Sequence, residues 1–348
     1  MSEEIDMPNN YLIPEKHPQH DLFICDVADA VIKDLMPQME HPFYSLSKKP
    51  DTSVRRYEHG ENWIEIVPNV KGAATIYDKD ILIYAVSQLM AKLNRGEEVT
   101  KRVRINSHEL LMFTNRGTSG RDYMALQDSL DRLDGTRIRT NIQTGDETEW
   151  EAFGLIEGAS TRRKNGMDGR LLWCELTLSD WVFDAIRNKT VLTLNRDYFR
   201  LRKPIERRIY EIGRKHCGQQ KKWSVSLAIL HHKSGSKSSL KEFRRAVKNV
   251  VEHNHLPDYT LTLDQESDTV TYKNRTQWWD KRLSEVENAP AITDPETYNT
   301  ARTFAPKGVD IYQLEQEWLT HWLDTGCEHI VHPDRAFIGF VKGRFSKT

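Results

Sequence analysis

The chain has 348 residues, of which 38% are hydrophobic, and this length allows about two domains of roughly 100 to 200 residues each. No apolar run approaches a membrane span, and residues 1–10 lack a signal-peptide pattern, so we expect a soluble, cytoplasmic protein that does not associate with membranes. The net charge is only −1, yet residues 199–250 carry fifteen Lys or Arg against three Glu, which indicates a local surface for phosphate.

The N-terminal third begins with a weakly patterned segment. Residues 1–20 contain several prolines and few aliphatic side chains, and they predict a flexible arm. A short amphipathic helix is expected at 21–35, and the alternation at 57–67 predicts a strand. Asp78 is a good N-cap for a helix that runs to Asn94.

Two later segments resemble each other. Asn106 and Ser119 are thirteen residues apart, as are Ser226 and Ser239, and all four are favoured N-cap residues. At an offset of 120 residues the apolar positions superpose as Leu110 on Leu230, Tyr123 on Phe243 and Leu130 on Val250. Each segment predicts a helix-turn-helix, and chance similarity between two ordinary helical hairpins is the competing interpretation.

A β-rich stretch with a polar turn follows each pair of helices. The predicted strands are 137–142 and 149–156 around the turn 143–148, and 259–263 and 269–272 around the turn 264–268. Helix, turn, helix and hairpin in this order are typical of a winged helix.

The predicted fold is therefore α+β, with two tandem winged-helix domains, a flexible N-terminal arm and a C-terminal helical tail. The expected parts are the arm at 1–20, the first domain at 21–200, the second at 201–288, a linker at 289–308 and the tail at 309–348. Within the domains we also expect a strand at 171–178, a helix at 181–188 capped by Asp180, and a helix at 205–217 with Pro204 in its first turn.

The second helix of the second segment has the pattern of a DNA-reading helix. Ser239 and Glu242 form a capping box, and an apolar stripe at helical spacing leaves the opposite face basic. Arg and Asn can bridge base edges bidentately, whereas Lys meets phosphate as a point charge. The candidate DNA-binding residues here are Lys237, Ser239, Lys241, Arg244, Arg245, Lys248 and Asn249. Further candidates are Arg207, Arg208, Arg214 and Lys215 on the preceding helix, and Arg121, Arg137 and Arg139 in the first segment.

The corresponding helix of the first segment carries acidic residues instead. They are Asp122, Asp128, Asp131 and Asp134. Because phosphate contacts supply most of the affinity for DNA, these carboxylates predict that the first winged helix reads bases poorly.

Catalytic patterns are missing from the sequence. A nicking enzyme needs a metal-binding His-hydrophobe-His and a tyrosine nucleophile, and neither residues 253–255 nor the pair His329 and His332 fits. Residues 235–238 lack the full phosphate-loop pattern, and the four scattered cysteines favour reduced thiols over a zinc site. We therefore expect no enzyme activity, no catalytic residue, no metal and no cofactor.

Three separated stretches are similar to one known family. They are residues 39–47 (MEHPFYSLS), 74–84 (ATIYDKDILIY) and 204–218 (PIERRIYEIGRKHCG). These stretches resemble the plasmid replication initiator protein A family of proteobacteria, and the resemblance covers about residues 20–280.

The resemblance implies a bacterial replication initiator with tandem winged helices, which binds repeated origin sequences in double-stranded DNA and helps to open the duplex. It also implies recruitment of host replication proteins such as a helicase or initiator. In such proteins the C-terminal winged helix reads sequence, while the N-terminal one contacts the DNA backbone in a monomer or forms a homodimer. Dimers of related initiators often repress their own gene. The alternatives are a winged-helix transcriptional regulator that does not melt its site and, third, a DNA-nicking initiator.

Overall fold

The computed structural model describes most of the chain. The described residues are 11–17, 32–47, 49–59, 62–141, 151–163, 171–188, 190–218, 220–275, 290–294, 296–305, 311–324, 330 and 332–345. Most of the predicted helix at 21–35 and the predicted turn at 143–148 lie outside these ranges.

The first unit runs from residue 33 to residue 200. Its strands are β1 (Lys33–Leu35), β2 (Arg55–His59), β3 (Asn62–Val67), β4 (Arg102–Asn106), β5 (Arg137–Thr140), β6 (Glu151–Gly154), β7 (Ile156–Arg163), β8 (Leu171–Leu178) and β9 (Val191–Thr193). Its helices are α1 (Met36–Glu40), α2 (Lys79–Asn94), α3 (Ser107–Phe113), α4 (Gly120–Gly135), α5 (Asp180–Arg187) and a 3₁₀ turn (Arg196–Arg200).

The predicted helix starts at Asn106 and Ser119 are confirmed, and Asp78 precedes α2 as expected. The Asn106 side chain accepts hydrogen bonds from the backbone N–H groups of His108 and Glu109, and Ser119 and Asp122 form a capping box at α4. The cap predicted at Asp180 is wrong: Ser179 caps α5, and its side chain accepts a hydrogen bond from the backbone N–H of Val182.

One strand prediction and one helix prediction need correction. The stretch 57–67 is divided between two antiparallel strands, β2 and β3, which pair from Arg55 with Ile66 to His59 with Asn62. Residues 33–35, where the predicted helix at 21–35 should end, form strand β1, which pairs with β9.

The sheets of the first unit join segments that are distant in sequence. Strands β5 and β6 form the predicted hairpin, but they belong to a four-stranded sheet of order β2-β3-β5-β6. Strand β4, which leads into α3, pairs instead with β8, and the order of that sheet is β4-β8-β7. The hairpin that closes on the strand before the two helices is therefore β7–β8.

The second unit repeats this arrangement. It contains α6 (Pro204–His216), β10 (Lys222–Ser226), α7 (Leu227–Ser234), α8 (Leu240–His253), β11 (Tyr259–Asp264) and β12 (Thr269–Asn274). Its sheet has the order β10-β12-β11, so the strand before α7 again lies beside the second strand of the hairpin. The hairpin predicted at 259–272 and the caps at Ser226 and Ser239 are confirmed.

The two units pack against each other through apolar and charged side chains. Ile32, Met36 and Met39 from the start of the first unit lie in the hydrophobic core of the second. At the same boundary the ammonium group of Lys79 lies 2.6 Å from a carboxylate oxygen of Asp34 and 3.0 Å from one of Glu211, and all three side chains are almost fully buried. Breaking a buried ion pair leaves an uncompensated charge, so these contacts hold α2 and α6 together.

Residues 11–17, which belong to the predicted flexible arm, lie against both units. The backbone N–H of Ile13 donates to the carbonyl of Arg200 at 2.9 Å, and the N–H of Lys16 donates to the Asn115 side chain at 2.8 Å. The ring of Tyr11 lies 3.7 Å from that of His253 at the end of α8. These contacts correct the expectation for this part of the arm.

The C-terminal segment forms a small helical cluster of α9 (Glu296–Phe304), α10 (Ile311–Asp324) and α11 (Pro333–Phe345). The helical tail is confirmed, but α9 lies inside the predicted linker at 289–308. Ala301 on α9 is buried with Trp318 and Phe337, which explains why this polar stretch folds. Among the described residues, no helix has the length and apolarity that crossing a membrane would require.

Candidate nucleic-acid interface

Helix α8 presents a basic outer face on an apolar back. Phe243, Val247 and Val250 are buried in the core of the second unit. Because residues four apart share a helix face, Lys241, Arg245 and Asn249 form one outward row. Lys241 and Arg245 are exposed and Asn249 is half-buried. The helix thus offers cations and an amide along a side that no core residue occupies.

A second row on α8 contacts the turn of the β11–β12 hairpin. The guanidinium of Arg244 lies 2.5 Å from a carboxylate oxygen of Asp268, and both side chains are about two-fifths exposed. The ammonium of Lys248 donates to the side-chain oxygen of Gln265 at 3.2 Å. Asp268 therefore competes with any phosphate or base edge for Arg244, a relation that the sequence pattern did not predict.

The turn before α8 contacts the first unit. The ammonium of Lys237 lies 2.7 Å from a carboxylate oxygen of Asp51 and 2.6 Å from the hydroxyl of Ser53. Partial burial acts to raise the pKa of Asp51, but the hydrogen bonds from Lys237 and Ser53 outweigh it and hold that pKa below its ordinary value. Ser239 is exposed and caps α8, so its side chain is engaged with Glu242.

The candidate cations on α6 are placed differently from the expectation. Arg207 is buried, and its guanidinium lies 2.7 Å from Asp80. Arg208 is buried too, and donates to the carbonyls of Met39 and Lys233, each at 2.8 Å.

The last two cations of α6 are also engaged with other parts of the protein. Buried Arg214 donates to the carbonyl of Thr193 at 2.7 Å, and the Lys215 ammonium lies 3.0 Å from the sulfur of Met36. The predicted basic face of α6 is thus an inter-unit contact, because distant carboxylates and carbonyls enclose it. Its arginines are removed from the candidate surface.

The candidate DNA-binding arginines of the first unit are exposed, but they lie on two different elements. Arg121 lies at the start of α4, whereas Arg137 and Arg139 lie on β5. Arg139 pairs with Glu65 at 3.2 Å, and Arg137 donates to the carbonyl of Ala152 at 3.3 Å.

The acidic side of α4 is partly neutralised. Lys71 forms an ion pair with Asp131 and lies 3.9 Å from Asp128. Asp122 serves as the N3 residue of the capping box, and Asp134 is exposed. The helix is still a poor match for phosphate, since one lysine faces several carboxylates.

The sequence reasoning missed one aromatic-cationic pair. The guanidinium of Arg104 on β4 lies 4.3 Å above the ring of Trp173 on β8. The two strands are brought together by pairing between segments that are far apart in the chain, so no local pattern could have indicated the contact. Within the described ranges, no group of three or more His, Cys, Asp or Glu side chains is arranged to hold a metal ion.

Sequence comparison decides the family. The model of the family described as replication initiator protein A matches residues 33–261. This chain belongs to that family. The "putative replication protein" of Wigglesworthia glossinidia brevipalpis is 38% identical over 252 residues, which are 72% of this chain and 91% of the relative. The resemblance expected from the three sequence stretches is confirmed.

Among solved structures, domains 2 and 3 of RctB match this chain with a TM-score of 0.52. The match covers 69% of this chain and 98% of that chain at 13% identity. The likeness shows a shared fold, and the predicted α+β class is confirmed by the mixture of helices and small antiparallel sheets.

Proposed function

We propose that this member of the initiator family binds repeated origin sequences in double-stranded DNA, with α8 in the major groove. The observation that carries the proposal is the outward row of Lys241, Arg245 and Asn249 on a capped helix whose other side is core. Arg and Asn side chains in this setting can form bidentate bonds to guanine and adenine edges.

We infer that both units are winged helices. The inference is supported by the order of helix, strand, helix, helix and hairpin in both units, interrupted in the first by β5 and β6, and by the first strand lying beside the hairpin's second strand. In this class the second helix of the pair is the one that enters the groove. The corresponding wings are β7–β8 and β11–β12.

The two units are assigned different tasks. The basic row of α8 supports base reading by the second unit, and the acidic side of α4 argues against it for the first. The first unit is assigned to DNA-backbone contact and self-association, and autorepression by a dimer follows from the same assignment. Origin opening and recruitment of a host helicase or initiator complete the proposal, and no catalytic role is assigned to any residue.

The first experiment measures affinity and sequence preference on duplex origin repeats. Replacing Arg245 or Arg244 with Ala should cost about 1–3 kcal/mol and relax the preference at one base pair. Lys71→Ala is the matched control, because it removes an exposed cation from the acidic side of the first unit. If both arginine variants keep full affinity and preference, α8 is not the reading helix.

A second experiment separates an initiator from a transcriptional regulator. An initiator should protect several direct repeats, spaced by one or two helical turns, and make adjacent A·T-rich DNA reactive to permanganate. A single protected operator without melting would favour the regulator. Cleavage of supercoiled plasmid that requires Mg²⁺ and a tyrosine would instead establish a nicking enzyme.

A further inference from the structure

We propose that the first unit contains a second DNA site, a groove between the end of α2 and the β4-β8-β7 sheet that binds one unpaired DNA strand. The site is separate from α8 and does not depend on duplex reading. Its connection to origin opening rests on the proposed function.

The groove is lined by basic side chains over an apolar floor. It has a volume of about 630 Å³, and Leu89, Val99 and Val103 contribute apolar surface to it. Four cations line it, against two carboxylates. The cations are Lys92 and Arg95 on or next to the last turn of α2 and Arg102 and Arg104 on β4, and the carboxylates are Glu98 and Glu109. Two of the cations are ion-paired at the surface, Arg95 with Glu97 at 2.5 Å and Arg102 with Glu175 at 3.4 Å. Exposed ion pairs are weak, so a phosphate can compete for both guanidinium groups.

At one side of the groove, a stacked arginine and tryptophan offer a flat surface on which a nucleobase can lie. The guanidinium of Arg104 covers the indole ring of Trp173 at 4.3 Å. The nearby Glu175 lies 3.4 Å from Arg102, and among the described residues no carboxylate lies within 4 Å of the Arg104 guanidinium. Indole rings and guanidinium planes both stack on nucleobases, so this pair adds to phosphate attraction a contact that depends on bases.

The basic surface continues along the sheet beyond the groove. In the strand register Trp173 lies between Asn106 on β4 and Arg162 on β7, so the three side chains share one face. Arg162 is exposed. The opposite face, with Ile105 and Cys174, is buried in the core. A DNA strand that enters the groove beside α2 can therefore cross this face of the sheet and contact a cation at each end.

The shape of the site favours one strand over a duplex. A concave groove of this volume accommodates single nucleotides, whereas the convex backbone of a duplex, whose bases are stacked inside, reaches only the rim. Stacking on an aromatic ring requires an exposed base face, which an unpaired strand supplies at every nucleotide. The combination of a cationic groove and a stacking platform is how proteins bind single strands with little sequence preference.

The test uses the full-length protein and a fluorescent single-stranded oligonucleotide of mixed sequence. Arg104→Glu should weaken binding to this strand at least about tenfold, because it replaces a cation of the groove by an anion and removes the guanidinium from the stack. Binding to duplex origin repeats should not change. The matched control is Arg56→Glu, because Arg56 also lies 4.3 Å above a tryptophan ring, that of Trp63, but is paired with Glu58.

A second measurement locates the strand directly. An oligonucleotide containing 5-iodouracil, irradiated in complex with the wild-type protein, should crosslink to Trp173 and not to Trp63. An abasic oligonucleotide of the same length should bind at least about tenfold more weakly, since it keeps the phosphates and loses the stacking.

Three results would overturn the site: full single-strand affinity in Arg104→Glu, equal affinity for the abasic strand, or crosslinks that avoid Trp173. Loss of duplex binding in α8 variants with single-strand binding intact would leave this site standing. The failure of one proposal is thus distinguishable from the failure of the other.

Discussion

Lys79→Met tests whether buried charges hold the two units together. The Lys79 ammonium serves both Asp34 and Glu211, at 2.6 and 3.0 Å. Glu211 keeps a second partner after the change, the guanidinium of Arg208 at 3.1 Å, so the loss falls mainly on Asp34. Removing one partner from a buried ion pair costs about 3–5 kcal/mol. We expect the low end, about 3 kcal/mol at pH 7, because Asp34 can take up a proton.

The pH dependence distinguishes this reasoning from simple loss of packing. Burial raises the pKa of Asp34 to about 6 even with Lys79 present. At pH 5 the Asp34 carboxyl is therefore largely neutral, and removing the Lys79 ammonium leaves less uncompensated charge in the core. The destabilisation by Lys79→Met should therefore be smaller at pH 5 than at pH 7. The double variant Lys79→Met with Asp34→Asn should recover part of the loss at pH 7.

Urea unfolding followed by tryptophan fluorescence measures these differences, provided that the slope with denaturant is unchanged. Lys71→Met is the control, because it breaks an exposed ion pair with Asp131 and should change the free energy of unfolding little. A loss below about 1 kcal/mol for Lys79→Met, or an equal loss at both pH values, would refute the reasoning.

Three further outcomes are expected. Asp268→Asn should strengthen duplex binding by about 0.2–1 kcal/mol, the range for exposed ion pairs, because it releases Arg244. Fluorescence anisotropy measures the affinity, and an unchanged value would show that Arg244 does not reach DNA. The logarithm of the binding constant for duplex DNA should fall by about 0.9 per log unit of salt concentration for each phosphate contacted. EDTA should not affect binding. Burial lowers the pKa of His41 to about 4, so this residue's contribution to stability is lost as pH falls from about 6.5 through 4. Asp34 acts in the opposite sense, so the diagnostic is the difference between the two proteins: the stability of His41→Asn relative to wild type should rise as pH falls from about 6.5 to 4.

Local signals in the sequence were sufficient for the parts of the fold that depend on neighbours along the chain. The capping box at Ser239, the hairpin at 259–272 and the strand at 171–178 were all predicted correctly. Each depends on residues a few positions apart, where side-chain chemistry fixes the backbone.

Contacts between distant segments could not be predicted in this way. The spacing of Arg207 and Arg214 on α6 is that of a solvated basic face, but Asp80 and the carbonyl of Thr193 enclose them. Only the three-dimensional arrangement decides whether a charged helical face meets water or a partner. The pairing of β4 with β8, and with it the Arg104–Trp173 stack, was inaccessible for the same reason.

The glycine in the turn between α7 and α8 bears on how readily this protein could be redirected to new DNA. Gly235 has a positive φ of 68°, and a Cβ there would overlap Pro42 and fall 3.0 Å from the hydroxyl of Tyr57. The close contact with the first unit therefore restricts the residue at this turn to glycine. The outward positions of α8, such as Lys241 and Arg245, are exposed and are not restricted in this way. If α8 reads DNA as proposed, recognition can vary along that row while the turn stays fixed, and the row is where engineering for a different origin should begin.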